Sequence, residues 1–203
     1  FVNVARKTNG EDVFAKRLRP VVPSEALESY SPMEINRRYY PSFYDGPRVR
    51  KHVIPIRPEY HDRLFIEYRY RTPGLMEAAG ELIVEGNTIK KAYICHAKSR
   101  KLEQGDVLLF YRSQDQVFTS ACTLDKVFRG VDSYDRVIKL VGKRTVYSKD
   151  ELINLINHGP VMIILFLLHF DLKQYINLSK LQKTHIMLRA PQSVMEVTDE
   201  KYR

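Results

Sequence analysis

Apolar and polar positions alternate from Phe1 to Leu18 around Asn9-Gly10, with strand-like runs at Phe1-Val-Asn-Val4 and Val13-Phe-Ala15. Asn-Gly accepts the left-handed backbone of a tight hairpin loop, so residues 1–20 predict a β-hairpin. From Arg19 to Lys51 the periodicity disappears, and Pro20, Pro23, Pro32, Pro41 and Pro47 stand among Ser, Tyr and Arg. Frequent prolines interrupt backbone pairing, so 21–50 predict an extended connector that packs through its aromatics. The main domain is expected over 51–203.

Within it, His52-Val-Ile-Pro-Ile56 predicts a first strand, and Pro58 opens a short helix over Glu59 to Phe65. Tyr68 to Gly86 fits neither period and is broken at Pro73-Gly74. Asn87 is a candidate N-cap for a helix over Thr88 to Tyr93. Asp106 to Tyr111 predicts a buried strand, and Val117 to Phe128 one or two more. Ser148-Lys-Asp-Glu151 is a capping box before an apolar stripe at Leu152, Ile153, Leu155 and Ile156, and His158-Gly159-Pro160 stops that helix. The continuous apolar run from Val161 to Phe170 predicts a central strand. Asn177 or Ser179 starts a last short helix, and Ser193 to Val197 predicts a closing strand. Short strands interleaved with short helices indicate an α+β or barrel-type domain.

Charge changes this picture more than composition does. A hydrophobic fraction of 44% over 203 residues allows an ordinary core, but 33 Lys and Arg against 24 Asp and Glu give a net charge of +9. That excess points to polyanionic partners, although a basic surface can also serve solubility alone. Cys95 and Cys122 are the two cysteines, and their spacing fits no zinc motif or disulfide framework, so reduced thiols and a cytoplasmic location are expected. Val161 to Leu168 is far shorter than the ~20 residues that span a bilayer, so no membrane partner is expected. The six histidines lack ligand-like spacing, so no metal is expected. Cys95 and His96 point to opposite faces if they share a strand, which argues against a nucleophilic pair. No catalytic residue is assigned.

The most informative stretch is Lys91-Ala-Tyr-Ile-Cys-His-Ala-Lys-Ser-Arg-Lys-Leu-Glu-Gln-Gly-Asp-Val-Leu-Leu-Phe-Tyr-Arg-Ser113. Gly105-Asp106 makes a turn into an apolar strand whose far end offers an aromatic, a cation and a hydroxyl. This order resembles the EVE and ASCH branches of the PUA-like superfamily. The resemblance covers roughly 52–203 in element order and implies a PUA-like mixed β-barrel with short flanking helices. It also implies a cleft beside this strand that takes RNA, DNA or a modified base, with no cofactor. By position, Ser99 and Arg100 would border the cleft, and Tyr111, Arg112 and Ser113 would form its lip. Tyr111 could equally be a core aromatic at a strand end. The chain departs from the pattern in having no Trp and no Gly-Xaa-Lys-Xaa-Xaa-Glu-Xaa-Arg signature of ASCH domains. A hydrolase acting on modified nucleobases is the enzymatic alternative, with Lys98, Lys143 and Thr145 as its candidates.

A second cluster, Leu140-Val-Gly-Lys-Arg-Thr-Val-Tyr-Ser148, sets Lys143, Arg144 and Tyr147 beside the free amides of the following helix, which would suit a phosphate. Capping alone accounts for Ser148. Arg37-Arg-Tyr-Tyr-Pro-Ser-Phe-Tyr44 interleaves cations with rings, as single-strand binding surfaces do, yet the same rings can staple the connector to the domain.

Phe1 to Leu18 resembles the last two strands of a GNAT acetyltransferase. The chain begins at Phe1, not Met, so a longer parent is expected. The acetyl-CoA pyrophosphate loop of that family is absent from this sequence, so acetyl-CoA would enter only with a further GNAT domain. An exposed edge on the hairpin would favour a homodimer.

Overall fold

The computed structural model describes residues 2–6, 12–15, 22–65 and 89–203. Strands β1 (Val2–Arg6) and β2 (Asp12–Ala15) pair antiparallel as the alternation requires, and the Asn9-Gly10 turn lies outside the described residues. The proline-rich stretch is not extended. It holds two short helices, α1 (Ser24–Ser29) and α2 (Pro32–Arg38). Two of its prolines stand where a missing N–H costs nothing, Pro23 as the N-cap of α1 and Pro32 in the first turn of α2. Ser31 and Glu34 close a capping box on α2. The connector does pack through its rings: Phe43 stacks on His169 at 5.0 Å, and the Tyr40 hydroxyl donates to the Leu168 carbonyl at 3.0 Å.

The main unit is a six-stranded mixed sheet. Its strands are β3 (Lys51–Ile56), β4 (Lys90–Cys95), β5 (Val107–Arg112), β6 (Val117–Val131), β7 (Val161–Asn177) and β8 (Met195–Val197). They lie in the order β4-β7-β6-β5-β3-β8. Only β3 and β5 run parallel, which demands the long crossover that contains α3 (Pro58–Leu64) and β4. The β6–β7 ladder shifts register at four places, and bulges of this kind bend and twist a sheet. The sheet curls far enough that the Tyr93 hydroxyl of β4 donates to the Pro55 carbonyl of β3 at 3.1 Å. First and fifth strands thus meet through a side chain, not a ladder, and the sheet stays unclosed there. The remaining helices are α4 (Tyr134–Val141), α5 (Lys149–Asn157), α6 (Leu178–Lys183) and α7 (Asp199–Tyr202).

The predicted α+β class holds, and α5 and α6 begin at the expected caps, Ser148 and Asn177. The helix expected over Thr88 to Tyr93 is instead the strand Lys90–Cys95. Its pairing with Met162–Leu167 of β7, in the middle of the core, overrides a local capping signal. The chief core is aromatic. Phe110 meets Phe65 and Phe166 at 4.8 Å each and Tyr93 at 6.0 Å. A second cluster on the other face of β5 gathers Tyr111, Phe118, Leu178 and Met187.

Two buried histidines make stability pH-dependent. His169 bonds Thr123 Oγ1 through Nε2 at 2.9 Å, and burial pushes its pKa from 6.5 down to about 4. His61 bonds Thr119 Oγ1 through Nε2 at 2.8 Å and is shifted down by the same cause. Both are neutral in the fold while the unfolded imidazoles protonate near 6.5, so the unfolded state takes up more protons as pH falls. Stability is therefore unaffected by these groups above pH 6.5 and declines from there towards pH 4, by roughly 3 kcal/mol for His169 alone. Denaturant midpoints measured from pH 7 to 4.5 should show this decline, and His169→Gln should flatten it.

Candidate functional site

Because β3 and β5 are parallel, with Pro55 opposite Tyr111, they deliver their last residues to one rim of the sheet. The unclosed seam between β3 and β4 opens at that rim as a cleft of about 530 Å³. Pro55 and Arg57 come from the exit of β3, and Tyr111 and Ser113 from that of β5. Tyr93, Cys95, His96 and Ala97 line it from β4, and the segment Ala190–Val194 covers the remaining side. The volume lies within the roughly 300–1,000 Å³ of small-molecule sites.

Tyr111 is the distinctive member. It is completely buried, its ring packs edge-on against Phe118 at 5.2 Å, and its hydroxyl has no hydrogen-bond partner among the described residues. Burial pushes its pKa up, so the hydroxyl remains a neutral donor and acceptor. Tyr111 is a core aromatic of the second cluster and also belongs to the lining of the cleft. Ser113 is held by its amide, which donates to the Ile56 carbonyl at 3.0 Å, and lines the cleft beside Tyr111. Tyr93 is pinned through its hydroxyl to Pro55. Burial raises the Cys95 thiol to about 11, which keeps it protonated near neutral pH. His96 is turned to the Leu155 carbonyl, 2.9 Å from its Nε2.

The other candidates are divided. Arg112 does not line this cleft among the described residues. Its guanidinium grips Asp62 through two bonds, at 3.2 and 2.9 Å, and also pairs with Asp115. Ser99 and Arg100 line a neighbouring cleft of about 450 Å³ together with Lys98, Arg129 and His158. Tyr147 belongs to the core: its hydroxyl donates to the Ile94 carbonyl at 2.8 Å and its ring lies 4.6 Å from Tyr60. Lys143 and Arg144 lie on a single 3-10 turn, Gly142–Arg144, with Arg144 half-buried. The Ser148 side chain accepts from the Glu151 amide, and Thr145 Oγ1 accepts from the Tyr147 amide at 3.3 Å. Arg57, Arg129 and the Ala190–Val194 segment were not singled out in sequence, because they come from distant stretches that only the curl of the sheet brings to these clefts. Among the described residues, no three His, Cys, Asp or Glu side chains are gathered as a metal site would need. Among the same residues, no helix is long and apolar enough to cross a membrane.

No family model matches the chain, and no curated protein matches it in sequence. Solved structures do. The ASCH protein of Zymomonas mobilis superposes with a TM-score of 0.51 at 16% identity, over 75% of this chain and 90% of that one. A serine-to-alanine mutant of the same protein reaches 0.53 at 14% identity, over 75% and 91%. This chain has an ASCH-type, PUA-like fold. The human THYN1 protein, solved in complex with DNA containing 5-methylcytosine, matches at a TM-score of 0.42 and 12% identity, over 75% and 93%. An overlap that loose carries nothing about a ligand here.

Proposed function

We propose that this chain is a nucleic-acid-binding module that captures one unpaired base, plain or modified, in the seam cleft. The observation that carries the proposal is Tyr111, a residue of the lining of a cleft of about 530 Å³ whose buried hydroxyl lacks a partner among the described residues. A buried polar group without a partner is destabilising by roughly 1–3 kcal/mol, and a ligand edge supplies the missing bond. The exposed ring of His96 offers a face on which a base stacks, and Ser113 offers a second hydroxyl. Arg57, largely exposed and only loosely paired with Glu59 at 3.9 Å, brings positive charge to the mouth. The overall charge of +9 favours the same class of partner. Arg112 and Tyr147 then serve to hold the scaffold, Arg112 by bracing α3 against the exit of β5 and Tyr147 by tying the entry of α5 to β4.

The test is Tyr111→Phe. Removing a hydroxyl that bonds nothing among the described residues should leave the melting temperature unchanged or higher. The same change should weaken binding of the preferred nucleoside by about fivefold to tenfold, the worth of one hydrogen bond at roughly 1–1.5 kcal/mol. Calorimetric titration with a panel of plain and modified nucleosides, run beside a thermal melt, reads both. Equal affinities for the two proteins, or no binding by either, would sink the proposal.

A further inference from the structure

The seam cleft is not isolated. It shares His96 and Ala97 with the cleft of about 450 Å³, and it shares Arg57 and His96 with a third of about 330 Å³. His96 therefore stands at a three-way junction, and a chain leaving the seam has two ways out.

Electrostatics separates them. The third cleft is lined by one cation, Arg57, and by the Glu151 carboxylate, which Arg63 grips through bonds of 2.9 and 2.7 Å. The second cleft contains Lys98, Arg100 and Arg129, and among the described residues none of the three pairs with a carboxylate. Arg129 is held in place by two neutral acceptors, the carbonyls of Ser99 at 3.0 Å and Leu102 at 2.9 Å. Its direction is set while its charge is left uncompensated. By contrast, Arg37, Arg50, Lys51, Arg63, Lys101 and Arg112 all have carboxylate partners.

We infer that the ligand is a single-stranded polynucleotide whose backbone leaves the seam past His96 and runs along Lys98, Arg100 and Arg129. The inference rests on the base-capture reading for the position of one nucleotide and adds the path of its neighbours. A single strand is required because a base paired in a duplex would have to be extruded before entering the seam. Three cations along one branch match successive phosphates, whereas a free nucleoside would need none of them.

The experiment measures binding of fluorescent twelve-nucleotide single-stranded RNA and DNA, the corresponding duplexes and free nucleosides, each across a potassium chloride series. Three phosphate contacts on a single strand give a slope of log affinity against log salt of about −2. Lys98→Ala and Arg100→Ala should each reduce that slope by about 0.7 and weaken strand binding about fivefold at 0.1 M salt. Both side chains are without hydrogen bonds among the described residues, so folding is not at stake. Lys183→Ala, the same charge removed from the exposed face of α6, should change neither. RNA and DNA arms report which sugar is preferred, and either preference agrees with the path. Nucleoside affinity should be unchanged by both variants. The path is overturned if strands bind no better than nucleosides, if duplexes bind as well as single strands, or if the two variants behave like Lys183→Ala. Nucleoside binding that persists in those cases leaves base capture standing. Strands that bind through Lys98 and Arg100 while nucleosides fail to bind support the path and overturn base capture.

Discussion

Asp106→Ala is expected to lower stability by roughly 3–5 kcal/mol, among the largest effects of any single side chain in the domain. The Asp106 carboxylate is buried at the entry of β5 and takes three bonds: the Arg50 amide at 3.0 Å, the Glu103 amide at 2.9 Å and His52 Nε2 at 3.0 Å. Removing it leaves two backbone N–H groups and a buried imidazole with nothing to donate to. Asp106→Asn should be nearly as harmful, since its amide would turn a donor towards groups that are themselves donors. Urea unfolding monitored by tyrosine fluorescence would give the midpoint shift. The entry of β5 is the opposite end of the strand from the cleft, so the affinity of the remaining folded molecules should be preserved. A variant as stable as the parent would show that the turn is held by Gly105 and its backbone bond to Leu124 alone.

Phe110→Ala should cost about 3–5 kcal/mol, because the cavity it leaves is framed by strands that cannot close on it. Phe110 is fully buried, and Phe65, Phe166 and Tyr93 all lie against its ring. Phe110→Leu keeps most of the volume and should cost far less, so the pair of variants separates packing from strand propensity. This substitution also reaches the site. Tyr93 belongs to the lining of the cleft and also meets Phe110 edge-on at 6.0 Å, so loss of the ring should weaken ligand binding even where the protein remains folded. Binding measured on Phe110→Leu, at a temperature well below its melting point, checks that link.

Neighbouring residues account for much of the fold. The caps at Ser148 and Asn177 and the stop at His158-Gly159-Pro160 depend on groups within four residues, so they are legible along the chain. Gly105 is of the same kind: its φ of +93° is open to glycine and strained for other residues. The misreadings arise where distant pairing decides. Thr88 to Tyr93 carries a local cap signal, yet β7 recruits Lys90–Cys95 as a strand. The Arg19 to Lys51 stretch shows little periodicity because its helices are six and seven residues long, too short to display one. Helix α4 escaped for a related reason, since its buried Val137 and Val141 make a single repeat of the helical spacing.

Of the candidate site residues, Tyr111, Ser113, Ser99 and Arg100 do line clefts, because the strand that ends at Arg112 and the loop after β4 must open at a rim. Arg112 and Tyr147 looked equally available in sequence. Their partners, Asp62 and the Ile94 carbonyl, lie 50 and 53 residues away. No local pattern announces such a bond.

The Gly105 to Ser113 segment shows where the division falls. By itself the sequence determined the α+β class, the turn at Gly105-Asp106, the buried strand after it and the basic character of the whole chain, since these follow from backbone freedom, side-chain polarity and charge. Only the tertiary structure decided that the sheet curls without closing and, among the described residues, that Tyr111 keeps a hydroxyl without a partner and that Lys98, Arg100 and Arg129 of the neighbouring cleft pair with no carboxylate. Those properties depend on what stands opposite each group in space, and curl, seam and pairing are set by contacts between residues far apart in the chain.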